Sequence, residues 1–240
     1  MRAVICGANG AMGKLLQQRF EEIAGLVSID GENGVARSFE ELGDVAPQIV
    51  VDFSHHTAAP AAAAYAVKHR CPLVIGTTGH TEEEKTAIFE AAREIPVFYA
   101  GNMSLGIAVL CRLAKDAVRS FPDADIEIVE AHHNRKVDAP SGTAKMLFQA
   151  VKEVRPQATA HCGRAGECKR TENEIGISSM RMGGIVGIHE VHICTASQQL
   201  TLRHEAYDRG MFADGALEAA KFLMGKPAGL YNMTHLLEQA

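Results

Sequence analysis

The most constraining feature of this chain is its opening. The run Arg2-Ala3-Val4-Ile5-Cys6 is followed at once by Gly7-Ala8-Asn9-Gly10-Ala11-Met12-Gly13. A short β-branched run stopped by glycine predicts a strand over 2–6. The next stretch, AMGKLLQQRFEEIAG, carries Leu15, Leu16, Phe20 and Ile23 at helical spacing and predicts a helix over 11–25. A strand that turns through glycines into a helix lets the backbone approach a pyrophosphate closely. The helix start adds free N–H groups and the positive end of its dipole. The spacing G-x-x-G-x-x-G departs from the commoner G-x-G-x-x-G, so the strand-to-helix setting is what makes Gly7 to Met12 a candidate dinucleotide loop.

The alternation continues. Apolar runs at 26–30 (LVSID), 48–54 (QIVVDFS), 71–79 (CPLVIGTTG) and 96–104 (PVFYAGNMS) predict strands, and 57–70 and 81–95 predict helices. The second of these helices opens with Thr81 and Glu84 in a capping-box pattern. Strands alternating with helices, and apolar on both faces, predict a Rossmann-like, doubly wound parallel α/β sheet. Ligands of such sheets sit beyond the carboxyl ends of the strands. Asp30, expected to end the second strand, is placed to accept hydrogen bonds from ribose hydroxyls. The small polar runs Gly76-Thr77-Thr78 and Ala100-Gly101-Asn102-Met103 leave room for a flat nicotinamide. Gly31 follows Asp30, so no adjacent arginine meets a 2′-phosphate, and NADH is favoured over NADPH; Lys14 and Arg37 are possible substitutes.

After residue 105 the texture changes to a helix at 105–121, a strand at 125–133, a helix at 144–154, a charged loop at 163–174 and strands over 175–184, 185–196 and 198–207. This predicts a smaller α+β domain, followed by a helix over 210–226 ended by Gly225 and Pro227. The formal charge of −5 supplies no global basic field, which argues against nucleic acid. No run approaches the roughly 20 apolar residues of a membrane span, and the opening does not read as a signal peptide. Six scattered cysteines are expected as reduced thiols of a cytoplasmic protein. The spacing of Cys162, Cys168 and His161 fits no standard zinc site, and no metal is expected.

The stretch EAHHNRKVDAPSGTA (130–144) concentrates chemistry just before a predicted helix. Adjacent strand residues point to opposite sides, so His132 and His133 need not share a task. An imidazole suits proton transfer, and Arg135 and Lys136 supply local positive charge. Gly142 and Thr143 open a helix, where N–H groups and the dipole bind carboxylates. The set suits a small carboxylated substrate and a proton donor.

These motifs, together with GANGAMG, GTTG, AGNMSLG, MRMGGIVGIHEV and the closing GLYNMTHLL, resemble the dihydrodipicolinate reductase family along essentially the whole chain. The resemblance implies hydride transfer from NAD(P)H to a cyclic, imine-containing dicarboxylate on the diaminopimelate route to lysine. By resemblance, His132 handles the proton, Lys136 is a second donor, and His133, Gly142 and Thr143 hold a substrate carboxylate. It also implies a dinucleotide-binding domain at 1–104 and 212–240, closed by a returning helix. Residues 105–211 would form a substrate-binding and oligomerisation domain that assembles a homotetramer. Competing readings are a Rossmann reductase of another small imino or oxo acid and a non-catalytic dinucleotide sensor. The presence of both His132 and Lys136 speaks against the sensor. His189 and His192 are expected in the second sheet as a polar cluster near the site, outside the catalytic set.

Overall fold

Six strands, β1 (Arg2–Cys6), β2 (Glu22–Val27), β3 (Ile49–Asp52), β4 (Leu73–Ile75), β5 (Pro96–Tyr99) and, late in the chain, β11 (Gly229–Tyr231), pair in parallel in the order β11-β5-β4-β3-β1-β2. They belong to the first of two units into which the computed structural model divides, Met1–Leu105 joined by the segment from Arg209 onward; the second is Gly106–Asp208. Residues 1–239 are described, the side chain of Asn33 excepted.

The chain leaves β1 outward to β2 and then returns to β3 on the other side. The strand order therefore reverses between β1 and β3, where a doubly wound sheet opens a crevice. Central residues such as Val4, Ile5, Val50, Val51, Val74 and Phe98 are completely buried, as a sheet covered on both faces requires. The covering helices are α1 (Ala11–Gln17), α2 (Phe39–Leu42), α3 (Ala59–Lys68), α4 (Glu82–Ala91), α7 (Gly210–Leu223) and α8 (Met233–Leu237). Thr81 and Glu84 form the expected reciprocal cap of α4. Late in the chain, α7 returns against α1 and strands β3 to β5. Gly215 permits this, because a Cβ there would overlap the Met103 carbonyl.

In the second unit β6 (Asp125–His132), β7 (Thr159–Cys162), β8 (Glu174–Arg181), β9 (Gly187–Cys194) and β10 (Gln199–Ala206) form a mixed sheet in the order β10-β9-β6-β8-β7. The helices α5 (Leu105–Ser120) and α6 (Gly142–Val154) cover one face. Register explains the chemistry of that face. Ile126 lies beside Ile175 and Ile193, and Ile128 beside Ile177 and Val191, both rows packed under Leu110, Leu147 and Phe148. One step further along β6 the row turns polar: Glu130 lies between Ser179 and His189, and His189 beside His204. In the next row His132 stands beside Arg181.

The boundaries between β1 and β2 differ from expectation. The first helix ends at Gln17 rather than 25, where i−3 bonds from Gln18 and Arg19 tighten its last turn. Ile23 fits the helical period but pairs with Ala3 in β2, because β1 needs a parallel partner on that side. The second strand accordingly spans Glu22–Val27, not 26–30, and Asp30 lies in the turn beyond it. The elements α2, β7, β11 and α8 are too short to register as periodic patterns.

Candidate active site

The first unit builds a cleft of about 560 Å³ over the ends of β1, β2 and β3, lined by Gly7, Asn9, Gly10, Asp30, Arg37 and Ser54 among others. Gly7 has φ +83°, and a Cβ on it would stand 2.3 Å from the Phe53 carbonyl oxygen. A Cβ on Gly13 would likewise overlap the Gly7 carbonyl, so both glycines serve close backbone approach. Gln17 Nε2 donates to the carbonyls of Ala8 and Gly13 and holds the loop to its helix.

The loop's donors are divided in a way the sequence does not reveal. The Gly7 and Ala8 amides both donate to Val27 O, at 2.9 and 3.1 Å, and Gly10 N donates to Gly7 O. These groups shape the turn, while Gly10 offers no side-chain cap to the first-turn amides of α1, at Ala11 and Met12. Asp30 Oδ1 accepts a 2.5 Å hydrogen bond from Asn9 Nδ2, which joins the acidic turn to the glycine loop. That bond above all holds the Asp30 carboxyl below its usual range. Cys6 also lines the cleft, but burial, then the neighbouring Asp52, pushes its thiol up to about 12, leaving it protonated and unreactive.

The later loops of this sheet follow the same plan. A Cβ on Gly76 would run into the Phe53 ring, and Ala100 N donates to Ile75 O. Thr77 is buried, its hydroxyl accepting Ser54 N at 2.9 Å. Gly101 sits beside the Thr78 methyl, with 3.3 Å between that carbon and the position of a Cβ. Asn102 Oδ1 accepts Ser104 N. The Met103 side chain is buried. Of the histidines that follow strand ends, His55 lines the cleft, His56 pairs with Glu84, and His80 is buried beside Tyr99.

In the second unit the polar rows of the sheet meet the start of α6. Glu130 has no exposure, and its carboxylate accepts hydrogen bonds from His132 Nδ1 at 2.6 Å, the Arg181 guanidinium at 2.7 and 2.8 Å, and the Ser141 backbone N–H at 3.1 Å. Burial alone would raise this carboxyl, yet the bonds from Arg181, His132, Ser179 and Ser141 outweigh it and hold Glu130 at about 2. Arg181 also donates to the Asp138 carbonyl, tying down the loop that carries Lys136. Lys136 Nζ pairs with Asp138 at 2.7 Å, and its amide donates to His133 O. Ser141 Oγ caps α6 through Ala144 N and contacts His189 Nε2 at 3.2 Å. Gly142 opens the helix, exposed, with Thr143 behind it.

His132 and the α6 start are thus joined through one carboxylate. Among the described residues His132 Nε2 bears no hydrogen bond, and Gly187 makes room for it, since a Cβ there would stand 3.2 Å away. Burial, assisted by the neighbouring His132, holds His189 neutral with its pKa down at about 3. His192 does not join this cluster. Its parity on β9 turns it to the opposite face, where it pairs with Glu190. Sequence reasoning missed Glu130, Arg181 and Ser141. Glu130 left a signal in standing two residues before His132 on the same strand face, and Ser141 in directly preceding the helix it caps.

His161 and Cys168 approach to 3.9 Å, and no group of three potential metal ligands occurs among the described residues. No helix there is long and apolar enough to cross a membrane.

Residues 1–103 match the family model for the N-terminus of dihydrodipicolinate reductase, and residues 106–237 the model for its C-terminus. The chain is 40% identical over 242 residues to 4-hydroxy-tetrahydrodipicolinate reductase of Alkaliphilus metalliredigens, with 99% of each chain covered. It is 42% identical over 252 residues to the protein of the same name from Caldanaerobacter subterraneus subsp. tengcongensis, with 100% and 99% covered. The fold is similar to that of a dipicolinate-bound dihydrodipicolinate reductase from Paenisporosarcina sp. TG-14, with a TM-score of 0.80, 25% identity and 97% of each chain covered.

Proposed function

The chain belongs to the dihydrodipicolinate reductase family, and from that premise we propose how its residues divide the work. The reaction is NAD(P)H-dependent reduction of 4-hydroxy-tetrahydrodipicolinate to tetrahydrodipicolinate in the diaminopimelate route to lysine. The first unit holds the dinucleotide. Its crowded Gly7 and Gly13, the open amides of α1 and the cleft beside Asp30 fit a pyrophosphate followed by a ribose. Asp30 receives the ribose hydroxyls and favours NADH, while Gly76 to Thr78 and Ala100 to Met103 border the nicotinamide end. When bound, the cofactor supplies the hydride.

The second unit holds the dicarboxylate. Gly142 and Thr143 at the start of α6, with His133, receive one carboxylate, and Lys136 sets a cation against the dianion. Reduction leaves electron density along the conjugated imine. His132 delivers the proton that quenches it, from Nε2, and Lys136 is a second donor. The observation that carries this reading is the joining of His132 and the α6 start by Glu130. The dipicolinate bound by the relative, an aromatic dicarboxylate, agrees with a site for two carboxylates. We further place the enzyme in the cytoplasm as a homotetramer, built through the sheet face that exposes Ser178, Met180, Thr201 and Arg203.

The test is oxidation of NADH and NADPH by the purified protein, with substrate generated in situ from pyruvate and aspartate semialdehyde by the preceding synthase. Substrate-dependent oxidation supports the reading. Folded protein that binds dinucleotide yet oxidises neither cofactor overturns it.

A further inference from the structure

Glu130 is not placed against either proposed ligand, yet its buried carboxylate gathers donors from His132, Arg181 and Ser141. An ionised carboxylate with no exposure is costly unless its lone pairs are matched, and here each oxygen accepts at least two hydrogen bonds. Oε2 takes the ring of His132 and one arm of Arg181. Oε1 takes the other arm and the Ser141 amide, one residue before the Gly142 that opens α6.

We propose that Glu130 is a positioning residue of the reaction: it keeps a proton on His132 Nδ1, so that Nε2 is the nitrogen offered to substrate, and it anchors to the same carboxylate the turn that begins the carboxylate-binding helix.

The chemistry follows from the acceptor. Glu130 offers lone pairs only, so the shared hydrogen at 2.6 Å comes from the imidazole, and the neutral ring carries it on Nδ1. When the ring takes a second proton it takes it on Nε2, the nitrogen without a partner among the described residues, and can pass it on from there. The resulting imidazolium faces a carboxylate whose charge Arg181 balances but does not remove. A glutamine in place of Glu130 would turn an N–H toward Nδ1 and invert the tautomer. Arg181 holds the orientation from a second direction, because it binds both the carboxylate and the Asp138 carbonyl of the Lys136 loop. The arrangement follows the general rule that a carboxylate behind a histidine selects its tautomer and ring direction.

This inference rests on His132 being the proton donor, and the experiment separates the two. The full chain, with its histidines labelled with nitrogen-15, gives the His132 tautomer by two-bond proton–nitrogen correlation, assigned by comparison with His132→Gln. The wild-type ring is expected to carry its neutral-state proton on Nδ1; a proton on Nε2 in that state overturns the positioning role. Glu130→Gln is expected to invert the tautomer and lower kcat about a hundredfold or more, with the dissociation constant for NADH unchanged. Wild-type kcat in Glu130→Gln overturns the proposal. Should that variant fail to fold, the wild-type spectrum alone decides the tautomer. Low turnover of His132→Gln combined with a wild-type ring protonated on Nε2 removes the role of Glu130 and leaves the donor assignment standing. Full turnover of His132→Gln removes both.

Discussion

Arg37 lies over Gly31: a Cβ built on Gly31 would stand 2.5 Å from Arg37 Cγ and 2.6 Å from its Nε. The position after Asp30 thus lacks a side chain of its own and is filled by an arginine six residues later, which also lines the proposed dinucleotide cleft. Its guanidinium forms no ion pair among the described residues, and Arg is well suited to a phosphate.

Arg37→Ala is therefore expected to lower kcat/KM for NADPH about tenfold, the size of one charge-assisted contact, and to leave NADH nearly unchanged. Steady-state kinetics with the two cofactors check this. An equal fall for both would mean that Arg37 shapes the cleft without reading the 2′-phosphate.

His132→Gln is expected to lower kcat by roughly two to four decades, the range of a lost general acid, with cofactor affinity little changed. Lys136→Ala should hurt both kcat and substrate KM, because it removes a donor and a cation together. Single-turnover measurements with saturating NADH separate the chemical step from product release. A wild-type chemical rate in His132→Gln would end its assignment as donor.

Gly7→Ala should weaken NADH binding by at least tenfold and lower the melting temperature. Its φ of +83° costs an L side chain on the order of 1 kcal/mol or more, and its Cβ would meet the backbone of Phe53. Gly34→Ala is the control for φ alone, since Gly34 also has a positive φ but open space around it. Equal effects of the two substitutions would show that crowding against the Phe53 backbone contributes nothing.

Stability should fall as the solution is made acidic, beginning near pH 6.5. His189 is neutral in the folded chain down to about pH 3, whereas an unfolded chain protonates it near 6.5. Below 6.5 the unfolded state therefore binds the extra proton, and this group alone costs about 1.4 kcal/mol per pH unit. His80 and His204, shifted down by burial, act in the same direction. Glu130 adds its own loss only below about 4.5, as pH falls toward its folded value of about 2. Urea unfolding at pH 7.5, 6.5, 5.5 and 4.5 would reveal the slope, and His189→Gln should flatten it by about 1 kcal/mol per unit. An unchanged slope would place the proton uptake elsewhere.

Much of this molecule was readable along the chain because the signals are local. A β-branched run ending in glycine is a strand end, Thr81 with Glu84 is a helix start, and Pro140-Ser141-Gly142 before an apolar helix marks the opening of α6. The GANGAMG loop and the EAHHNRKVDAPSGTA stretch are legible in the sequence, since each candidate group in them is set by its own neighbours. Local period also misled: Ile23 continued a helical pattern that the demand of β1 for a parallel partner overrode.

What tertiary structure alone decided is how polar groups far apart in sequence share hydrogen bonds. Residue order along the chain sets the strand-glycine-helix opening, the two-part organisation and the residue types of the site. It did not determine that Gly7 and Ala8 give their amides to Val27, that Arg37 covers Gly31, or that Arg181 and His189 lie on either side of β6 beside His132 and Glu130. Those relations depend on strand register, which is fixed by burial of whole apolar rows such as Ile126 with Ile175 and Ile193 rather than by any neighbouring residue. A one-residue slip would turn Glu130 and His132 to the other face of the sheet, away from α6. The packing of the core therefore holds the proposed proton donor in place.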